Sequence, residues 1–206
     1  MFTGIICGIG RVANVIVLPG LTKLAVGVTP SLLVGLQKGA SVAIDGICLT
    51  VVDFDDSKIW FDVIAETLQQ TTLKSVEVGA HVNIERAARF GDEIGGHMLS
   101  GHISGTTPII SILRTENNCI LTFQGSPQLT KYLFPKGYIA LNGASLTLVD
   151  VNNSSGAFTV HLIPETLERS TFGTKKVGDV VNVEYDSQTQ AIVDTIERYY
   201  ACKSTN

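Results

Sequence analysis

The chain has 206 residues, 45% apolar and 17% charged, with 15 basic and 19 acidic side chains and a net charge of -4. That is enough apolar material for one large core or two compact ones, while a net negative chain lacks the basic footprint of a nucleic-acid or anionic-membrane binder. No apolar run approaches the roughly 20 residues a bilayer span needs, and no charged secretion signal opens the chain, so a cytoplasmic protein with no membrane partner is expected.

Cys7, Cys48, Cys119 and Cys202 show no C-x-x-C pairing, which predicts reduced thiols and no metal site. In chain order, Gly4 to Val17 is strand-like and is broken by Pro19-Gly20, and a second strand covers Leu21 to Val28. Thr29-Pro30 reads as an N-cap followed by proline at the first helical position, opening a short helix. Asp45-Gly46 between two apolar runs predicts a tight hairpin. A strand over Lys58 to Val63, a short helical segment from Glu66, a turn at Val78-Gly79 and a strand over His81 to Glu85 complete this half. Gly91 to Ile103, with four glycines in thirteen positions, reads as a hinge.

The half after the hinge repeats the half before it. With 97 added, Thr29-Pro30 becomes Ser126-Pro127, Asp45-Gly46 becomes Asn142-Gly143 and Leu49-Thr50 becomes Leu146-Thr147. Two extra residues near Asn152 then shift the offset to 99, so that Glu66-Thr67 falls on Glu165-Thr166 and Val78-Gly79 on Val177-Gly178. So long a run in register, turn residues included, marks a duplication. Each copy carries about six short strands and one short helix, a pattern that predicts an all-β chain of two tandem closed antiparallel barrels. From Gln188 to Ala201 there is no glycine or proline, and Ile192, Ile196 and Tyr200 recur at helical spacing, which predicts a C-terminal amphipathic helix. Its apolar stripe suits either its own barrel or another copy of the chain. The domains expected are 1–97, 98–187 and a terminal helix with its tail at 188–206.

Where two barrels offer two similar pockets, polar residues that differ between copies are where function breaks the symmetry. Ser41 aligns with Tyr138, Cys48 with Ser145, His102 with Ile5, and Asp186 with Ala87. An imidazole flanked by glycine, His102, is a plausible proton shuttle. His97 has nothing to distinguish it beyond its neighbours. Cys48 in an apolar strand is ordinarily a small hydrophobe, and Asp186 before the last helix is most simply its N-cap. The matched Thr50 and Thr147, with Glu66-Thr67 and Glu165-Thr166, supply polar groups suited to two equivalent small-molecule pockets.

Met1-Phe2-Thr3-Gly4-Ile5, Gly46 to Val51, Asn83 to Ala87, Gly95 to His102, Asn142 to Thr147 and Leu162 to Arg169 closely resemble the riboflavin synthase family. The resemblance implies six-stranded Greek-key barrels and a homotrimer joined by the C-terminal helices, and it admits lumazine synthase as an associate. The reaction it implies is a transferase dismutation in which one 6,7-dimethyl-8-ribityllumazine gives a four-carbon unit to another. Riboflavin and 5-amino-6-(D-ribitylamino)uracil are the products, and no cofactor is expected because the substrate ring is its own electron sink. By resemblance, Ser41, Cys48, His102, Thr147 and Asp186 are catalytic. His102 would transfer the proton, Ser41 or Cys48 would add or polarise, and Asp186 would orient.

Substrate contacts implied in the first barrel are Gly4, Ile5, Ile6, Cys48, Leu49, Thr50, Asp62, Val63, Ile64, Ala65, Glu66 and Thr67. Their counterparts are Gly101, His102, Ile103, Lys136, Ser145, Leu146, Thr147, His161, Leu162, Ile163, Pro164, Glu165 and Thr166. Apolar side chains would cover the ring faces while main-chain groups read the pyrimidine edge. The alternative in a different class is a lumazine- or flavin-binding protein of the same fold without catalysis. The four mismatched residues Ser41, Cys48, His102 and Asp186, kept together in one chain, favour the enzyme.

Overall fold

The computed structural model describes residues 1–204. Alternating inward and outward residues build two closed barrels. The first contains β1 (Gly8–Leu18), β2 (Leu21–Gly27), β3 (Ser41–Ile44), β4 (Ile47–Phe54), β5 (Lys58–Ile64) and β6 (His81–Arg86). The second contains β7 (Gly105–Arg114), β8 (Cys119–Gln124), β9 (Tyr138–Leu141), β10 (Ala144–Asn152), β11 (Ala157–Leu162) and β12 (Val180–Tyr185). Around the first barrel the strands run β1-β2-β5-β4-β3-β6, and the second closes in the matching order, every pairing antiparallel. Closure leaves neither sheet an open edge.

The two copies agree in detail. The β3–β4 and β9–β10 turns place Asp45 at φ 46 and Gly46 at φ 82, Asn142 at φ 43 and Gly143 at φ 80, the left-handed pairs that a two-residue hairpin demands. Bulges fall at Val12/Asn14 and Val51/Asp53 in one barrel and at Ile109/Ser111 and Leu148/Val151 in the other, bending each sheet at the same places. Leu24, Ile59, Phe61 and Ile84 fill the first core, and Leu121, Phe123, Phe158 and Val183 the second.

Short helices α1 (Ala65–Gln70), α2 (Pro127–Thr130) and α3 (Pro164–Arg169) close turns between strands. Thr29 does not cap as its sequence predicts: its hydroxyl pairs with Ser31 and the segment Pro30–Leu33 is a tight 3-10 turn. Ser126 does cap, accepting from the Leu129 amide at 3.3 Å. At the far end, Asp186 accepts from the Thr189 amide and hydroxyl and so starts α4 (Ser187–Ser204) as expected.

The glycine-rich stretch is pinned to the barrels rather than hinged. Phe2 and Leu99 pair as a β-bridge, the His97 amide donates to Thr3, and both Phe2 and Leu99 are buried against Ala43 and Ala140 between the barrels. Beside this apolar seam, Asn83 and Asn182 reach across reciprocally: the Asn83 amide group donates to the Asn142 carbonyl and that of Asn182 to the Asp45 carbonyl, each at 2.9 Å. Among the described residues no helix is long and apolar enough to cross a membrane.

Candidate functional site

Strand alternation decides which of the expected site residues face outward. On β4 and β5, Leu49 and Val63 turn into the first core, while Cys48, Thr50, Asp62 and Ile64 face out. On β10 and β11, Leu146 and Leu162 turn inward and Ser145, Thr147 and His161 face out. Leu49, Val63, Leu146 and Leu162 are thus the inward members of these stretches. These four pack their own barrels and can offer a ligand only main chain.

Cross-strand pairing lines the outward residues into a polar row on each barrel. In the first, Ser41 pairs with Thr50 and Lys23 with Asp62, the latter an ion pair at 3.4 Å. In the second, Tyr138 pairs with Thr147 and Ile120 with His161, whose ring meets the Asn118 amide at 3.3 Å. The rows share a central threonine and differ at their ends.

The N-terminal segment of each half crosses to the other barrel. The Ser145 amide donates to the Gly4 carbonyl at 2.9 Å, and the Cys48 amide donates to the Gly101 carbonyl at 2.9 Å. Both glycines have positive φ, and a Cβ on Gly4 or Gly101 would lie 2.5 Å from the Cβ of Ser145 or Cys48, so only glycine lets the strands approach. The grouping expected from sequence is thereby corrected. Gly4, Ile5 and Ile6 belong with Ser145, Glu165 and Thr166, lining a cleft of about 190 Å³ on the second barrel. Gly101, His102 and Ile103 belong with Cys48 on the first. Sequence order misleads here because the repeat offset identifies equivalent segments and is silent on which barrel receives each.

The five residues expected to be catalytic accordingly divide. Ser41, Cys48 and His102 lie at the first seat, His102 exposed with its amide bonded to the Ser100 hydroxyl at 3.0 Å. Thr147 and Asp186 lie at the second. Lys136 stands on an exposed left-handed turn, φ 69, and among the described residues its side chain makes no hydrogen bond or ion pair.

His97, set below His102 on the sequence, has the more built environment. His97 is buried, its Nδ1 lies 2.6 Å from the Ser145 hydroxyl, its ring stacks on Tyr138 with centroids 5.0 Å apart, and its Nε2 has no partner among the described residues. Burial lowers its pKa below the ordinary imidazole value, with the Asp186 carboxylate pulling the other way. Asp186 itself is pushed up by burial, but its bonds from Thr189 outweigh this and hold it below the usual carboxylate value. A neutral imidazole bonded to a serine hydroxyl, with a carboxylate nearby, can pass a proton.

Two outward seats, each roofed by a strap from the other half, define a tandem-barrel protein for small molecules, and both halves match the lumazine binding domain, over residues 3–87 and 100–186. The riboflavin synthase of Escherichia coli (strain K12) is 47% identical over 204 residues, covering 98% of this chain and 95% of that protein. That of Chlamydia pneumoniae is 47% identical over 201 residues, covering 98% of each. LumP, solved in complex with riboflavin, superposes with a TM-score of 0.83 at 25% identity, covering 91% of this chain and all of that one. The chain belongs to the riboflavin synthase family.

Proposed function

We propose that the protein is a riboflavin synthase, moving a four-carbon unit between two molecules of 6,7-dimethyl-8-ribityllumazine to give riboflavin and 5-amino-6-(D-ribitylamino)uracil. The observation that carries this reading is the pair of equivalent seats with unequal linings, in a chain 47% identical to named riboflavin synthases. Two copies of one substrate need two similar seats, and a transfer between them needs the seats to differ chemically. Holding both molecules removes much of the entropy cost of a bimolecular encounter.

In this reading the C7 methyl of one lumazine loses a proton, the ring delocalises the carbanion, and the carbanion attacks the partner ring. The donor's two C–N bonds to the four-carbon unit then break, any group added at C7 is expelled, and the freed nitrogens take protons to leave 5-amino-6-(D-ribitylamino)uracil. At the first seat His102 moves a proton while Ser41 or Cys48 adds to, or polarises, C7. At the second, Ser145 hydrogen-bonded to His97 passes a proton, Asp186 favours the charged imidazole once it forms, and Thr147 holds the ring. Outward residues from Asp62 to Thr67 and from His161 to Thr166 contact substrate, and so does Lys136.

The units are 1–97, 98–187 and 188–206, and the assembly is a homotrimer. Two features support assembly. The cleft beside Ser145, about 190 Å³, is below the range that encloses a drug-sized ligand, so a second surface is needed to close it. Ile192 and Ile196 on α4 are also exposed, at 61% and 52%.

The deciding experiment incubates the purified protein with 6,7-dimethyl-8-ribityllumazine alone. One riboflavin should appear for every two lumazines consumed, and lumazine bound but recovered unchanged would leave only a binding protein.

A further inference from the structure

Glu85 and Glu184 occupy matched positions on the last strand of each barrel, outside the polar rows of the seats. Both are nearly sealed from water, at 3% and 6% exposure. A carboxylate so placed is costly unless its lone pairs are filled, and both are filled by the same kind of segment. Glu85 accepts from the Thr3 amide at 2.6 Å, the Thr3 hydroxyl at 2.9 Å and the Gly4 amide at 3.0 Å. Glu184 accepts from the Ser100 amide at 2.7 Å, the Ser100 hydroxyl at 2.7 Å and the Gly101 amide at 3.0 Å. One residue carries the strap from clamp to seat: the amide of Gly4 is held by Glu85 and its carbonyl by the Ser145 amide, and Gly101 stands likewise between Glu184 and the Cys48 amide.

We propose that Glu85 and Glu184 are crossed positioning residues. Each is rooted in one barrel and sets the strap that completes the seat of the other, Glu85 for the Ser145 seat and Glu184 for the Cys48 seat. The proposal rests on reading the Ser145 cleft and the matching surface at Cys48 as lumazine seats. The clamps also differ in what they carry. Beyond Gly101 the strap presents His102, whose amide is tied to the same Ser100 hydroxyl that Glu184 holds. Beyond Gly4 it presents only apolar Ile5 and Ile6. Loosening Glu184 therefore disturbs His102, whereas loosening Glu85 disturbs a lid and, through the His97 amide bonded to the Thr3 carbonyl at 3.1 Å, the His97–Ser145 pair.

Glu85→Gln and Glu184→Gln preserve size and one acceptor oxygen but can turn an NH₂ toward a backbone amide that needs an acceptor. Titration of the full-length protein with the lumazine, alongside steady-state turnover, separates the two clamps. Glu184→Gln should weaken the Cys48 seat about tenfold and leave the Ser145 seat unchanged, Glu85→Gln should do the reverse, and each should lower kcat about tenfold because each strap holds a proton-transfer group. Because Gly101→Ala blocks the approach to Cys48, Glu184→Gln should add little to it yet add fully to Gly4→Ala, and the reverse should hold for Glu85→Gln. Should a glutamine variant fail to fold, Ser100→Ala and Thr3→Ala remove one donor from each clamp and read the same pattern more weakly. Ser100→Thr and Thr3→Ser, which keep the hydroxyl, should restore it. Equal weakening of both seats by each variant, or a fall in Tm with binding and kcat/KM intact, would overturn the proposal. Absence of lumazine binding by the unaltered protein would remove the seats themselves, which distinguishes failure of that reading from failure of the clamps.

Discussion

Asp45 and Asn142 are the same turn residue in two copies of one hairpin, and only one of them can carry charge. Asp45 accepts from the Asn83 amide as Asn142 accepts from that of Asn182, so the carboxylate gains no bond that an amide would lack there. Burial pushes its pKa from 3.8 up to about 6, against the pull of the Asn83 bond and of Lys175. A raised folded-state value means that Asp45 favours the fold most below about pH 4 and loses that advantage as the pH climbs through about 6. The shift corresponds to at most about 3 kcal/mol. Asp45→Asn should therefore raise stability at pH 8, and the difference from the parent, measured by urea unfolding across pH 4 to 8, should vanish at the acid end. Taking the difference also cancels His97, whose lowered pKa acts with the opposite sign. His97 carries a second expectation at this scale: His97→Gln should leave lumazine binding nearly intact but lower kcat about a hundredfold in single-turnover measurements, the loss typical of an acid–base group. Comparison of the two copies could not raise this histidine above its neighbours. Its partner Ser145 is 48 positions away, and the repeat offset of 97 puts its counterpart before residue 1, so comparing the copies passes over it.

The straps are the elements on which the seats depend, and each is anchored by a buried apolar residue before it reaches its glycine. Phe2, 1% exposed, packs with Leu99 against Ala43 and Ala140. Truncating a buried phenylalanine costs about 3–5 kcal/mol. Phe2→Ala should accordingly lower the urea midpoint and weaken both seats, because Phe2 anchors the strap from Thr3 to Ile6 and its ring also packs on Leu99 and beside Gly101. The barrels themselves were readable in advance. Asp45-Gly46 and Asn142-Gly143 specify hairpins by backbone chemistry alone, and the alternation on β4, β5, β10 and β11 states which residues face the core. The same alternation, taken residue by residue, already sets Leu49, Val63, Leu146 and Leu162 apart from their outward neighbours, although a continuous binding stretch hides it. The crossing of the straps was not readable. It is a choice between two chemically similar receiving strands, made by long-range packing of Gly4 on Ser145 and Gly101 on Cys48 that leaves no local period in the chain.

Over the whole molecule, α4 has its polarity reversed relative to a helix that merely covers its own barrel. The side toward the second barrel is fastened by polar contacts: Tyr132 donates to Asp194 at 2.7 Å, and Lys131 pairs with Glu197 at 2.7 Å. Ile192, Ile196 and Tyr199 face away, each more than half exposed. Ile192 and Ile196 therefore do not serve the chain's own core, the orientation that the proposed self-association requires. Assembly and catalysis then become separable. In the proposed homotrimer, the Ser41, Cys48 and His102 set of one copy would meet the Thr147 and Asp186 set of another around a face-to-face substrate pair. Ile192→Asp with Ile196→Asp should shift sedimentation from an oligomer to a single chain without lowering Tm by more than a few degrees, because neither side chain packs in a barrel core. Lumazine should still bind, more weakly at the Ser145 cleft that a neighbour would close, while turnover per chain should fall at least tenfold and rise with protein concentration. Full turnover by the dispersed single chain would mean that donor and acceptor meet within one copy, and the division of the polar groups between barrels would then need bridging by a movement of the straps.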